Sequence, residues 1–483
     1  MKTKNAISSY NHLKTGKTWN EKLLLPGSFL PWLPSTRRIL KASISLFVIF
    51  LLLNLSACRK DFPIGGGKGD GHTGYSGQTK NYSSEVAFKW IDMQLRLYRT
   101  NATPIGGLPP ARYFTYSAIA LYESVVPGMP SYQTLSGQLT DMPAMPTTSP
   151  GLAYHWPTCG NAALAAMTRN FFPTTSAANI AAIDSLENAL NTNYQAKVDN
   201  DEFQRSAQFG KSIAQLIFDW SKADGASNAN APYTPPVGLG LWVPTPPALA
   251  APFGPYWGNN RLFVQGSLDG SAPVPPPAYS IDPSSDFYKM AKDVYDVSQT
   301  LTAEQTATAL YYRDNPGYGG GHYLSILEQI LQQEHPQLDF TAMAFAKASI
   351  GIVDAGIGCW QTKYQYNIER PITYIRDVLA QSTWAPLFPT PNFPEYTSGH
   401  CAIAGVFSEI LTGLFGNHYH FTDHSYDYLG MAPRSFDSFN DFELDVSNAR
   451  VYAGIHYRIS CERAVKQGEI IGQNIIKKLK FRK

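Results

Sequence analysis

Two blocks of helical periodicity, separated by a long stretch that cannot be helical, constrain this chain most. In the first block, residues 86–98, 111–125, 159–171, 177–190 and 202–223 carry apolar side chains at i, i+3 and i+4 spacing. The pattern resumes over 287–301, 322–333, 339–362, 372–379, 400–414, 445–452 and 463–479. Between the blocks, residues 225–285 are dense in Pro, Gly, Trp and Tyr and include Pro235-Pro236, Pro246-Pro247 and Pro275-Pro276-Pro277. Proline fixes φ and lacks the donor a helix needs. The aromatic content argues against a disordered linker, so this segment is expected as an ordered excursion wrapping a helical body. No strand-like alternation of comparable length and no internal repeat accompany it. The fold class expected is all-α, a helical bundle with one long Pro/Gly-rich irregular excursion.

The N-terminus has a different character. Arg37-Arg38-Ile39-Leu40-Lys41 precedes an apolar run over 44–55 and then Leu55-Ser56-Ala57-Cys58. Basic residues, an apolar core and a small-residue site ending in Cys are the parts of a secretory signal, and the run is short of the ~20 residues that span a bilayer. Leu-Ser-Ala-Cys looks like a bacterial lipobox. Residues 1–57 are therefore expected as a lipoprotein signal peptide, with Cys58 lipidated and the protein held at the bacterial cell envelope. Residues 58–82, Gly-rich and polar, are expected as a flexible tether, and 83–483 as one helical domain with its motif core at about 338–480. Charge follows the same division. Of 39 Lys/Arg and 37 Asp/Glu, the first 57 residues hold eight and one, which leaves 31 basic against 36 acidic residues in the remainder. That acidic balance disfavours a nucleic-acid partner.

Three segments of the second block collect groups suited to one anion. The first runs from Lys363 to Arg370-Pro371. Proline disfavours α conformation at Arg370, so the pair is expected to span a helix end and the turn after it. A mobile ammonium and a rigid guanidinium fork then approach one ligand from two directions. The second segment ends Thr397-Ser398-Gly399-His400, after prolines 389, 391 and 394. Ser398 is expected as the N-cap of the following helix, whose free amides point at an anion, with Gly399 permitting close approach and His400 beside it. The third holds Arg450 and His456. Six residues turn an ideal helix by about 600°, so the two do not share a face: either Gly454 breaks the helix between them or the long arginine arm reaches around it. Taken singly, these are solvated charges, a helix cap and a chance pair. Jointly they offer three positive charges to a tetrahedral oxyanion carrying two or three negative ones.

In order and spacing the segments resemble the signature shared by vanadium-dependent haloperoxidases and type 2 phosphatidic acid phosphatases. The resemblance spans about 342–476. It implies vanadate as cofactor, with Lys363, Arg370, Ser398, Gly399 and Arg450 on its oxygens, His456 as axial vanadium ligand and His400 as acid/base residue. Hydrogen peroxide and halide are then substrates, hypohalous acid the product, and a small organic acceptor an optional further partner. Lys363 would polarise the bound peroxide toward halide. Trp360 and Phe393 resemble the aromatic positions near the halide site of fungal chloroperoxidases, which implies a peroxidase of that type; aromatics packed in a core beside the site account for both equally well.

Departures from the family pattern are informative. Thr397 replaces a proline, Asn448-Ala449 precede Arg450, and Ser460 stands where the family has the aspartate that orients the axial histidine. Ser460 could still accept a hydrogen bond from the histidine, and Glu462 or a backbone carbonyl could substitute; vanadate affinity lowered about 10- to 100-fold is the expected consequence. An acid phosphatase is the principal alternative, His456 attacking phosphorus to give a phosphohistidine and His400 protonating the leaving oxygen. A non-catalytic envelope lipoprotein with a degenerate site is the other. Cys159, Cys359, Cys401 and Cys461 permit disulfides in an oxidising envelope, a Cys401–Cys461 bridge among them, or pack as buried thiols. His418, His420 and His424 fit a solvated loop better than a zinc site.

Overall fold

The computed structural model describes residues 76–100, 108–314 and 317–483. Thirteen α-helices lie among them. The N-terminal block comprises α1 (Glu85–Thr100), α2 (Leu108–Val125), α3 (Trp156–Phe171), α4 (Ala177–Gln195) and α5 (Asn200–Ser221). The later block comprises α6 (Asp286–Gln299), α7 (Ala303–Tyr311), α8 (His322–Glu334), α9 (Leu338–Tyr366), α10 (Pro371–Asp377), α11 (Gly399–Phe415), α12 (Phe439–Tyr452) and α13 (Arg458–Lys478). A two-stranded antiparallel hairpin, β1 (Phe421–Asp423) with β2 (Arg434–Phe436), joins α11 to α12.

Helix α9 is the axis of the body. It is apolar on every face and buried over most of its length, as a core helix must be. Its length and apolarity would also suffice to cross a membrane, but 89% of that stretch is enclosed by other helices. Helices α2, α11 and α13 pack around it. The α11–α13 contact brings backbones together: a Cβ on Gly405 would lie 2.3 Å from the Val465 carbonyl oxygen, and one on Gly468 2.1 Å from that of Ala402. Glycine at both positions lets the N-terminus of α11 sit against the start of α13, which shapes the site.

The Pro-rich segment is ordered and wraps the helical body as expected, bonding to both blocks, with 3₁₀ turns only at Ala226–Asn228 and Trp257–Asn259. Buried Asp354 of α9 pins it, accepting from the amides of Phe263 (2.7 Å) and Val264 (3.0 Å). The Trp242 amide donates to the Asn367 carbonyl at 2.7 Å, and Arg463 of α13 donates to the Pro275 carbonyl at 2.8 Å.

Several expectations need correction. Helix α7 is too short for periodicity to reveal it; a reciprocal Thr302/Gln305 capping box starts it. Helix α12 begins at Phe439, not 445, because Ser438 caps the Asp441 amide at 3.1 Å and draws the acidic loop into its first turn. Residues 76–82, placed in the tether by sequence, are packed: Ser76 accepts from the Tyr154 amide and Gly77 from the Trp156 indole. All four of Cys159, Cys359, Cys401 and Cys461 are buried free thiols, so the Cys401–Cys461 bridge is not formed. Residues 1–57 and Cys58 lie outside the described residues.

Candidate active site

Local backbone rules bring the three segments to one place. Lys363 is in the last turn of α9, which ends with Asn367 in the left-handed region at φ 48°. Arg370 is the N-cap of α10 and is extended (φ −77°, ψ 153°), the conformation its following proline enforces. Ser398 caps α11 without using its hydroxyl for the cap. Arg450 lies in the last turn of α12; Gly454, at φ 77°, then reverses the chain so that His456 in the connector faces back toward Arg370.

The result is a buried cationic cluster. Lys363 and Arg370 have no exposure, Arg450 is 2% exposed, and the one fully buried carboxylate among them is Glu395. Three cations against one anion is an unstable balance in a low-dielectric interior, where each unpaired ion costs several kcal/mol. Four polar atoms at this place lack any hydrogen-bond partner in the protein: Arg370 Nη2, Arg450 Nε, Ser398 Oγ and Trp360 Nε1. All four are able to donate, and the amides at the start of α11 lack intrahelical acceptors by position. Unused donors beside surplus positive charge fit an oxyanion of about two negative charges, so the residues present suit vanadate, and equally phosphate.

Lys363 is placed differently from what the resemblance implies. Its ammonium donates to the carbonyls of Pro394 (3.0 Å), Glu395 (3.0 Å) and Thr397 (2.5 Å), which uses all three of its protons. Arg370 holds the same strand of chain through Nε on the Phe393 carbonyl (2.9 Å), and Nη1 reaches the Ile455 carbonyl (2.9 Å). Both residues therefore clamp 393–397 into shape, and only Arg370 keeps a spare donor.

His456 has a defined tautomer. Its Nε2 is 3.2 Å from Arg370 Nη1, and since guanidinium only donates, Nε2 carries the lone pair. Nδ1 then bears the proton and donates to Glu395 Oε1 at 2.8 Å. The Tyr457 amide donates to the same oxygen at 3.1 Å, and the Ser460 hydroxyl to Oε2 at 2.7 Å. Sequence reasoning assigned Glu395 no role and offered Glu462 as a stand-in for the missing aspartate; the carboxylate comes instead from the second segment. The available signal was an acidic residue, Pro394-Glu395, three positions before the cap serine of an apolar helix. Burial, then the charges of Arg370, Lys363 and Arg450, hold the His456 imidazole well below its ordinary pKa.

His400 occupies the open side. Its Nε2 is 3.0 Å from Asp314 Oδ1, and its carbonyl accepts from Tyr323 at 2.9 Å. Burial and the Arg450 charge lower its pKa, while Asp314 opposes them. A cavity of about 270 Å³ opens at these groups, lined by His400, His456, Arg450 and Gly399 together with Trp360, Phe393, Phe253 and Ile403. Trp360 and Phe393 meet at 4.9 Å between ring centroids. Phe253 belongs to the excursion, which thus supplies a wall of the pocket.

Fold and site together define a helical-bundle enzyme with a buried cradle for an oxyanion. The model of the second helical-bundle domain of vanadium chloroperoxidase (VCPO) matches residues 343–482. No curated protein matches the chain by sequence. The crystal structure described as the first bacterial vanadium-dependent iodoperoxidase superposes with a TM-score of 0.75 at 30% identity, over 83% of this chain and 98% of that one. A bacterial vanadium-dependent chloroperoxidase has the same fold in its holo form (TM-score 0.58, 14% identity, 77% of this chain and 93% of that one) and apo form (0.58, 14%, 79% and 97%). The chain belongs to the vanadium-dependent haloperoxidase superfamily.

Proposed function

We propose that the protein is a vanadate-dependent haloperoxidase that oxidises halide with hydrogen peroxide: H₂O₂ + X⁻ + H⁺ → HOX + H₂O. The observation that carries this reading is the uncompensated cationic cluster around the inward lone pair of His456, beneath a mostly apolar pocket. Bound vanadate would supply Lewis-acid activation of peroxide without a change of oxidation state. Arg370, Arg450, Ser398 and the amides of Gly399 and His400 would hold its oxygens, and His456 Nε2 would be the ligand to the vanadium. Lys363, bound to three carbonyls, would act chiefly by fixing the 394–397 turn and by its charge. The reaction consumes a proton; His400, hydrogen-bonded to Asp314 and open to the pocket, is the residue to deliver it. Trp360 and Phe393 would exclude water from the halide.

The phosphatase reading uses the same cradle, with His456 as nucleophile. The apolar Trp360, Phe393, Phe253 and Ile403 wall, and similarity to a protein described as an iodoperoxidase, favour halide oxidation. The test is direct. Protein reconstituted with orthovanadate is given peroxide with iodide, bromide or chloride, and halogenation of a dye is followed; iodide is the first halide to try. Halide-dependent turnover supports the proposal. Aryl phosphate hydrolysis by the vanadate-free protein, without halogenation by the loaded one, would establish the phosphatase. We also propose export as an envelope lipoprotein, on the Leu55-Ser56-Ala57-Cys58 motif. Acyl labelling that disappears in C58A is the expected result.

A further inference from the structure

We propose that Glu395 is the residue that positions His456 as a vanadium ligand: the orienting carboxylate comes from the irregular segment before α11 and not from position 460, and Ser460 is its clamp and not a lesion. The inference rests on the cradle holding vanadate, as proposed above.

Three observations carry it. Glu395 has no exposure and spends both oxygens on the axial histidine's surroundings: Oε1 on His456 Nδ1 (2.8 Å) and the Tyr457 amide (3.1 Å), Oε2 on the Ser460 hydroxyl (2.7 Å). Its backbone is fixed independently, because its amide donates to the Ile368 carbonyl at 2.9 Å and its carbonyl accepts from Lys363 at 3.0 Å. An acceptor held on Nδ1–H sets the tautomer, aims the ring and raises the basicity of Nε2. Position 460 is then constrained by charge. Its side-chain oxygen sits 2.7 Å from Glu395 Oε2, so an aspartate there would press two buried carboxylates together, whereas a hydroxyl donates between them. Glutamate at 395 and serine at 460 are one unit: with the first in place, the second cannot be an acid.

Vanadate would take the imidazole nitrogen as a direct ligand, whereas ground-state phosphate would use the cradle alone. A residue acting through the imidazole should therefore matter for vanadate and hardly for phosphate, while a merely structural residue would affect both. The experiment measures dissociation constants for orthovanadate and for inorganic phosphate on the full-length protein and on E395Q, S460D and E395Q/S460D, with thermal melts as the check of folding. E395Q is expected to weaken vanadate about 10- to 100-fold and phosphate by less than about threefold. S460D alone also weakens vanadate. In the double variant the introduced amide can donate to the new aspartate, and vanadate affinity is expected to recover about tenfold over E395Q. Equal loss for both anions, unchanged vanadate affinity in E395Q, or tighter vanadate binding by S460D alone would overturn the proposal. Should E395Q not fold, S460A serves instead, with a vanadate-selective loss of several-fold expected and a loss shared by both anions as the contrary result. Binding of phosphate but not vanadate by the parent also defeats the inference. Tight vanadate binding without halide oxidation would leave it standing and remove the peroxidase reading alone.

Discussion

His456 and His400 flank one pocket in opposite surroundings. The side chain of His456 is 3% exposed and its carboxylate partner not at all; for His400 and Asp314 the figures are 23% and 45%. Both imidazoles are held below their ordinary pKa, His456 by burial and three cations, His400 by burial and Arg450. The difference lies in what each partner can do. A buried, fully hydrogen-bonded carboxylate fixes a ring in one tautomer, as a ligand must be fixed. A half-exposed one at the pocket mouth leaves the ring able to exchange protons with water, as an acid/base group must.

Truncating each histidine should break this comparison most widely. H456A is expected to lose orthovanadate affinity by about 1,000-fold or more, since the ligand to the vanadium and the reason for the surrounding order go together. H400A is expected to keep that affinity within a few-fold yet lose about 10² to 10⁴ in turnover, the usual contribution of a positioned acid/base. Titration with orthovanadate and steady-state halogenation read the two separately. Comparable loss of affinity in both variants would show that the division of labour is wrong.

The partners should differ next, and in stability. E395A orphans three buried donors, His456 Nδ1, the Tyr457 amide and Ser460, and removes the anion among three cations. About 3–5 kcal/mol of unfolding free energy should be lost. D314A breaks a half-exposed pair and should cost less than about 1 kcal/mol. Denaturant melts of both variants measure the contrast.

Why one half of this arrangement was legible in the sequence follows from how each contact is made. Helices with a continuous apolar stripe report themselves through periodicity, and Arg370-Pro371, Ser398 and Gly454 act on backbone conformation within a residue or two; their placement could be reasoned locally. Glu395 could not. Its bonds to His456, Tyr457 and Ser460 cross more than sixty residues and depend on a segment without regular structure. The same irregular turn presents the three carbonyls that capture Lys363, contacts that charge and spacing along the sequence do not signal. Asp314 had no local signal either: it is a turn residue whose partner is 86 positions away.

Proton exchange at the open side should sharpen the comparison through pH. Asp314 favours the imidazolium of His400, against burial and Arg450. Because His400 must carry the proton it delivers, the limb on which halogenation falls as pH rises through its pKa should lie below the ordinary imidazole range, and D314N should move that limb to still lower pH. The shift should stay below about one unit because the pair is partly in water. A pH–rate profile of kcat for both proteins checks the sign; movement to higher pH would mean that Asp314 does not act on His400 as a charge.

The smallest effect concerns the floor shared by the two histidines. A Cβ on Gly399 would stand 3.2 Å from the indole of Trp360, with nothing else closer than 3.7 Å. Backbone conformation is no obstacle there, since helix α11 starts at this residue with ordinary helical geometry. G399A should fold normally and push Trp360 outward by a few tenths of an ångström. Misplacement of that size costs less than the hundredfold of a full ångström, so turnover should fall by about tenfold or less. The loss should appear in the halide KM more than in vanadate affinity if the indole borders the halide and not the oxyanion. Loss confined to vanadate affinity would move Trp360 from the halide side of the pocket to the cradle itself.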